Sequence, residues 1–277
     1  MLPNMNYRKR FIVPSGERVA LDSIDPAFKD KRIKAEAAAE MEHDSELLSV
    51  LQYRLYAGSE HSLLIVLQGL DASGKDGTIS HVFRSLNPQG ARVHAFKEPS
   101  KEELAHDFLW RAHLPAPERG EIVIFNRSHY EDVLIVRVHD LVPQSLWSKR
   151  YDLINAFEKD LTEAGTTILK FYLHISKEEQ LKRFKDRLDD PSRQWKISEA
   201  DYAERSYFTE YLRAYEDVFA KTSTPHAPWF IIPSDHKWFR DLAVSRIVVE
   251  MLDSLDMKLP KTTVDLEDIR RKYDEAT

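Results

Sequence analysis

Gly69, Gly74 and Lys75 stand in the spacing Gly-x4-Gly-Lys within the run LLIVLQGLDASGKDGTI, from Leu63 to Ile79. Glycines allow backbone N–H groups to turn together toward an anion, and a helix that starts here adds the positive end of its dipole. A lysine at the second glycine meets the outer phosphates as a point charge. Three of the chain's 8 glycines fall between Gly69 and Gly77. The loop from Gly69 through Ala72, Ser73 and Gly74 to Gly77 and Thr78 is therefore the expected phosphate cradle. One position departs from the usual pattern. Asp76 follows the lysine, where such loops carry the Ser or Thr hydroxyl that ligates Mg²⁺. Asp71 or Asp76 must then hold the ion, directly or through water. Asp71, inside the loop, is the favoured ligand over its plainer role as an Asx-turn residue.

A second cluster lies in EIVIFNRSHYEDVLIVRV. An apolar run ends at Phe125, and Asn126, Arg127, Ser128, Tyr130, Glu131 and Asp132 follow at once. In parallel α/β sheets the ligand crevice lies beyond the carboxyl ends of the strands, so this cluster belongs beside the phosphate loop if the two strands are neighbours. Arg127 can offset charge on a transferring phosphoryl group, and Glu131 can face metal or nucleotide. The plain alternative is a helix start with favourable acids.

Lys182, Arg183, Lys185, Arg187, Arg193 and Lys196 crowd the stretch KEEQLKRFKDRLDDPSRQWKIS. Arg183 and Arg187 are four apart and share one helix face. The run DDP ends the helix, and a short loop around Trp195 adds Arg193 and Lys196. Beside a phosphate loop this segment reads as a lid that closes to exclude water, rather than as a solvated charged face. His94, His129 and His174 show no metal-ligand spacing and read as core or surface residues.

These residues need a frame. Short apolar runs, Leu63–Leu67, Arg92–Phe96, Glu121–Phe125, Thr166–Ile175 and Pro228–Ile232, read as buried strands separated by amphipathic stretches. Ser100 with Glu103, and Ser176 with Glu179, have capping-box spacing and should start helices. Strands alternating with helices imply a parallel sheet covered on both faces, an α/β fold in three layers. Before it, residues 1–32 read as an arm and Ile33–Ala57 as a helix. The expected division is an arm and helix at 1–60, an α/β domain built on the phosphate loop at 61–260 with its lid at about 180–200, and a tail at 261–277.

Composition narrows the class. The 277 residues are 42% hydrophobic and 31% charged, with no cysteine and a formal net charge of −6. That balance argues against a general nucleic-acid binder, and absent thiols suit a reducing, cytoplasmic setting. No apolar run approaches a membrane span.

The motifs GLDASGKDG, FKEPSKEELAHDFLWR, FNRSHYEDVL, RLDDPSRQWK and APWFIIPSDHKWFRD together make the chain resemble the type-2 polyphosphate kinases from Asn6 to about Pro260. The resemblance implies a P-loop kinase fold like that of thymidylate kinases, with a parallel central sheet and a helical lid. It implies Mg²⁺, or Mn²⁺ in its place, and phosphoryl transfer between inorganic polyphosphate and nucleotides. It also implies a homodimer or homotetramer. By position, Asp71 goes to magnesium and Lys75 to phosphate. Arg127 fits the second signature, and Arg183, Arg187, Arg193 and Lys196 fit the lid. Lys97 and Arg111 join the expected basic groove. Many members read Asp where this chain has Asn126, so Glu131 or Asp132 is expected to compensate. The NRSHYED form resembles the subgroup that takes AMP to ADP and ADP to ATP, with guanine nucleotides as further substrates. The competing readings are an ATP-dependent nucleoside or nucleotide monophosphate kinase and a silent nucleotide-binding module.

Overall fold

The computed structural model describes residues 5–31, 34–196 and 198–276. Five strands form one parallel sheet in the order β2-β3-β1-β4-β5. They are β1 (Ser62–Gln68), β2 (Ala91–Ala95), β3 (Ile122–Asn126), β4 (Thr166–His174) and β5 (Trp229–Pro233). Each lies within one residue of its sequence expectation at both ends. The registers that matter most are Leu67 opposite Asn126 and Gln68 opposite Tyr172, because they bring three strand ends together.

Alternate residues of the strands enter two separate cores. Leu64, Val66, Val123, Phe125, Ile168 and Tyr172 pack with the helices Arg150–Glu163 and Phe208–Thr222. Leu63, Ile65, Ile122, Ile124, Leu169 and Phe171 pack with the helices Lys34–Gly58 and Lys237–Ser254. Burial on both faces is why these strands read as unbroken apolar runs. β2 departs from the expectation of a buried strand. It is the sheet's edge, and Val93 on it is exposed.

Residues 5–31 cover the opposite edge. Asn6 caps the short helix Tyr7–Phe11 by accepting from Lys9 N–H at 2.8 Å. Val13 N–H then donates to the Trp229 carbonyl at 2.8 Å, and Ile12 bridges Phe230 antiparallel. Tyr7, Phe11 and Phe28 close an aromatic cluster on Phe239. The helix expected to start at Ile33 is described from Lys34, since Ile33 lies outside the described residues. Among the described residues no helix is long and apolar enough to cross a membrane.

The capping signals differ in outcome. Ser100 and Glu103 form a complete box, although the helix it starts runs only Lys101–Leu104. Ser176 accepts from Glu179 N–H, but the Ser176 N–H donates to Asp235 instead of Glu179. Glu179 is thereby left to bind Arg183.

One buried polar group sits beneath the sheet's carboxyl end. Lys170 Nζ donates to Glu158 Oε2 at 2.6 Å, the Thr222 carbonyl at 2.7 Å and the Tyr130 hydroxyl at 2.9 Å. Tyr130 in turn donates to Glu158 Oε1 at 2.8 Å. Neither Lys170 nor Glu158 has exposed side-chain surface. Removing one partner strands a buried charge, so Lys170→Met is expected to destabilise the fold by about 3–5 kcal/mol in urea unfolding. The pair Lys170→Met with Glu158→Gln should recover more than half of that loss.

Candidate active site

The phosphate loop leaves β1 at Gly69 and enters the helix Lys75–Val82. Its shape follows from where its carbonyls go. Lys75 Nζ donates to the carbonyls of Gly69 at 2.6 Å and Leu70 at 3.3 Å. Gln180 Nε2 donates to the Asp71 carbonyl at 3.0 Å. Arg183 Nη1 donates to the carbonyls of Ala72 at 2.9 Å and Ser73 at 3.0 Å, and Arg240 Nη1 reaches Ser73 at 3.3 Å. Thr78 N–H closes on Gly74 at 2.8 Å. Every carbonyl from 69 to 74 is held from within the protein. The first N–H groups of the helix have no partner within the helix and are left for a ligand.

Two glycines are obligatory here. Gly74 has φ +112°, and a Cβ there would lie 1.7 Å from Arg240 Nη1. Gly69 has φ +149°, and its Cβ would meet Ser73 Oγ at 2.7 Å and the Leu173 carbonyl at 2.9 Å. Ala72 and Arg127 also take positive φ, +61° and +60°, so both loops facing the cavity carry backbone strain that the buried core must hold.

Beyond the strand ends lies a cavity of about 830 Å³. Asp71, Ala72, Gly74, Lys75, Asp76 and Gly77 form one wall, Lys97, Asn126 and Arg127 another, and Arg183, Arg187, Arg193 and Lys196 a third. A smaller cavity of about 300 Å³ continues past Gly69, Asp71, Arg127 and Glu131. Arg127 Nη2 donates to Asp71 Oδ1 at 3.0 Å where the two meet. Asn126 Nδ2 donates to Asp76 Oδ1 at 2.9 Å. The residues in the unusual positions of both motifs therefore bind each other.

Arg183 corrects the expectation of a mobile lid arginine. It also donates to the carbonyls of Ser234 at 2.6 Å and Asp235 at 3.0 Å, and it is buried. It is the strut under the loop. Arg187, one turn on, lies over the Phe184 ring and stays at the cavity. Six of the expected site residues line neither cavity. Ser73 and Thr78 are buried, the latter donating to Asp241 at 3.3 Å. Ser128 Oγ accepts from Gln68 Nε2 and Tyr130 N–H, and the Tyr130 ring is in the core. Arg111 pairs with Glu103 at 3.4 Å and donates to the Lys97 carbonyl at 2.8 Å, so it sets the Lys97 loop from behind. Asp132 pairs with Arg150 at 3.1 Å, and burial raises its carboxyl to about 6.

Sequence reasoning did not single out Gln180, Lys237 or Arg240. Lys237 and Arg240 follow the carboxyl end of β5, the same position that made the other loops candidates, and that signal was available.

Among the described residues no group of three or more His, Asp or Glu side chains is arranged to hold a metal. Asp71 and Glu131 face the smaller cavity together. One or two carboxylates, completed by phosphate oxygens and water, is the usual setting for magnesium, so these residues fit such an ion.

Burial and the nearby Arg127 lower Lys75 to about 8, against the pull of Asp71, Glu131 and Asp76. A lysine with a depressed pKa carries its charge below that value and loses it as pH rises. Affinity for a phosphate-bearing ligand should therefore fall between pH 7 and 9, measured by titration calorimetry. Lys75→Arg, charged throughout, should lack that limb.

The model of the family Polyphosphate kinase 2 (PPK2) matches residues 31–260. The AMP/ADP-polyphosphate phosphotransferase of Meiothermus ruber is 48% identical over 258 residues, covering 91% of this chain and 96% of its own. The ADP-polyphosphate phosphotransferase of Rhodopseudomonas palustris is 45% identical over 271 residues, covering 92% and 93%. The crystal structure of polyphosphate kinase 2 from Arthrobacter aurescens TC1 superposes with a TM-score of 0.90 at 41% identity, over 95% of this chain and 98% of that one. With a phosphate loop at the carboxyl end of β1 and a family match across most of its length, this chain belongs to the polyphosphate kinase 2 family.

Proposed function

We propose that this enzyme transfers phosphoryl groups reversibly between inorganic polyphosphate and nucleotides, taking AMP to ADP and ADP to ATP, with guanine nucleotides as further substrates. The observation that carries the reading is the larger cavity. A chain with a net charge of −6 gathers Lys75, Lys97, Arg127, Arg187, Arg193, Lys196 and Lys237 around one hollow. A polyanion is what such a hollow fits. The names of the two relatives support the choice of donor and acceptor.

In this reading polyphosphate lies along the larger cavity with its terminal phosphoryl group near Asp71 and Arg127. An oxygen of the acceptor's outer phosphate forms the new P–O bond as the bond to the rest of the chain breaks, leaving polyphosphate one unit shorter. The attacking oxygen is already anionic, so no strong base is required. Lys75 leaves the loop carbonyls for the phosphates, and Arg127 offsets charge on the group in transit. Arg187, Arg193 and Lys196 approach from the lid side and help exclude water. Asp71 and Glu131 would hold magnesium, or manganese in its place, which when bound would supply charge neutralisation on the phosphate oxygens. A homodimer or homotetramer in the cytoplasm belongs to the same reading, which the absence of cysteine supports for the compartment.

An incubation of AMP, magnesium and polyphosphate without ATP tests it. Nucleotide analysis should show ADP and then ATP, whereas an ATP-dependent kinase would give neither. Asp71→Asn and Lys75→Ala should each lower kcat at least about a hundredfold while their melting transitions persist. Wild-type turnover in either variant would remove that residue from the mechanism.

A further inference from the structure

The smaller cavity differs from its neighbour in chemistry. Phe208, Tyr211 and Tyr215 line it, together with Glu204, and it opens onto the larger cavity at Asp71 and Arg127. Aromatic walls with a few placed polar groups suit a flat heterocycle. Its lining sets four carboxylates, Asp71, Glu131, Asp201 and Glu204, against two arginines, Arg127 and Arg205. Basic groups outnumber acids in the larger cavity, so the smaller one is the less suited to a phosphate chain. An uncharged group joined to a phosphate that reaches Arg127 satisfies both conditions.

Glu204 is held in place by two partners, Tyr211 and His139. The Tyr211 hydroxyl donates to Oε2 at 2.9 Å, and His139 Nε2 lies 3.0 Å from both Oε2 and Oε1. A carboxylate has about four acceptor positions, so these contacts leave it able to accept more. Beside it, Arg205 Nη1 donates to Gln180 Oε1 at 3.2 Å, and the same Gln180 amide holds the Asp71 carbonyl. The wall of the smaller cavity is thus tied directly to the phosphate loop.

We propose that this cavity receives the nucleoside half of the acceptor and that Glu204 is a specificity-determining residue for adenine, accepting a hydrogen bond from its exocyclic 6-amino group, so that guanine nucleotides, with an oxygen at that position, are the poorer substrates. The assignment rests on the polyphosphate–nucleotide reading above. A base without that amino group leaves the carboxylate facing a ring edge with no donor, and sites built around a hydrogen bond reject such analogues strongly.

The test is calorimetric titration of the full-length protein with AMP and with purine riboside 5′-monophosphate, which lacks the amino group. Wild type should bind AMP at least about tenfold more tightly. In Glu204→Ala the two ligands should bind alike, while affinity for polyphosphate stays unchanged. Equal affinities in wild type, no binding of AMP, or a tenfold preference that survives in Glu204→Ala would each overturn the assignment. If Glu204→Ala has no melting transition, Glu204→Gln takes its place: its weaker acceptor should cut the preference to about a third, and an undiminished preference would be the contrary result. Discrimination without phosphoryl transfer from polyphosphate would sink the reaction and keep the site. Transfer without discrimination would do the reverse.

Discussion

The site depends on two buried arginines. Arg183 and Arg240 reach the phosphate loop from the helices that follow β4 and β5, and both donate to the Ser73 carbonyl. A loop meant to present N–H groups to phosphate has to turn its carbonyls inward, where each needs a donor, because an unpaired buried carbonyl is costly. A guanidinium suits that task, since it offers five donors in a fixed fork and remains charged. The same groups place positive charge beneath the loop. Gly74 is required because the Arg240 guanidinium occupies the space a side chain would need. Asp241, paired with Arg240 at 2.7 Å, keeps that charge compensated from behind.

Much of this frame was legible in the sequence. Strands buried on both faces leave unbroken apolar runs, so β1, β3, β4 and β5 were readable, and the glycine spacing placed the loop. Orientation was not readable. Helical spacing correctly put Arg183 and Arg187 in one neighbourhood but could not say that Arg183 faces inward and Arg187 the cavity. Spacing likewise could not tell Glu131, at the cavity, from Asp132, which turns to Arg150 across a long sequence gap. Arg111 was counted as groove because it is basic, yet its partners Lys97 and Glu103 come from a loop and the short helix after it, whose path only the fold defines. β2 resembled its neighbours by composition and proved to be the edge, since strand order is set by crossovers rather than by any local signal.

Asp76 and Asn126 explain each other. A serine or threonine after the lysine would offer metal a hydroxyl; here a carboxylate stands there, and a second one at position 126 would oppose it across the cleft. With asparagine at 126 the contact becomes an amide donating to a carboxylate at 2.9 Å. Lys196, in the turn around Trp195, lies 3.7 Å from the other oxygen of Asp76. Asp76 therefore joins the phosphate-loop helix, the end of β3 and the loop around Trp195.

The strain at Arg127 shows why the core beneath must be rigid. A non-glycine residue at φ +60° persists only where its surroundings over-determine it. On one side Arg127 N–H donates to the Leu67 carbonyl, extending the β1–β3 ladder past the last strand pair. On the other, Ser128 is fixed by Gln68, and His129 and Tyr130 are buried around Glu158 and Lys170. With both flanks fixed, the peptide between them must turn, and the turn aims the guanidinium at Asp71. The buried ion pair thus has a use that stability alone does not explain: it anchors the turn that carries Arg127 and Glu131. An apolar replacement of similar volume could match it in packing and still lose the direction in which that turn points.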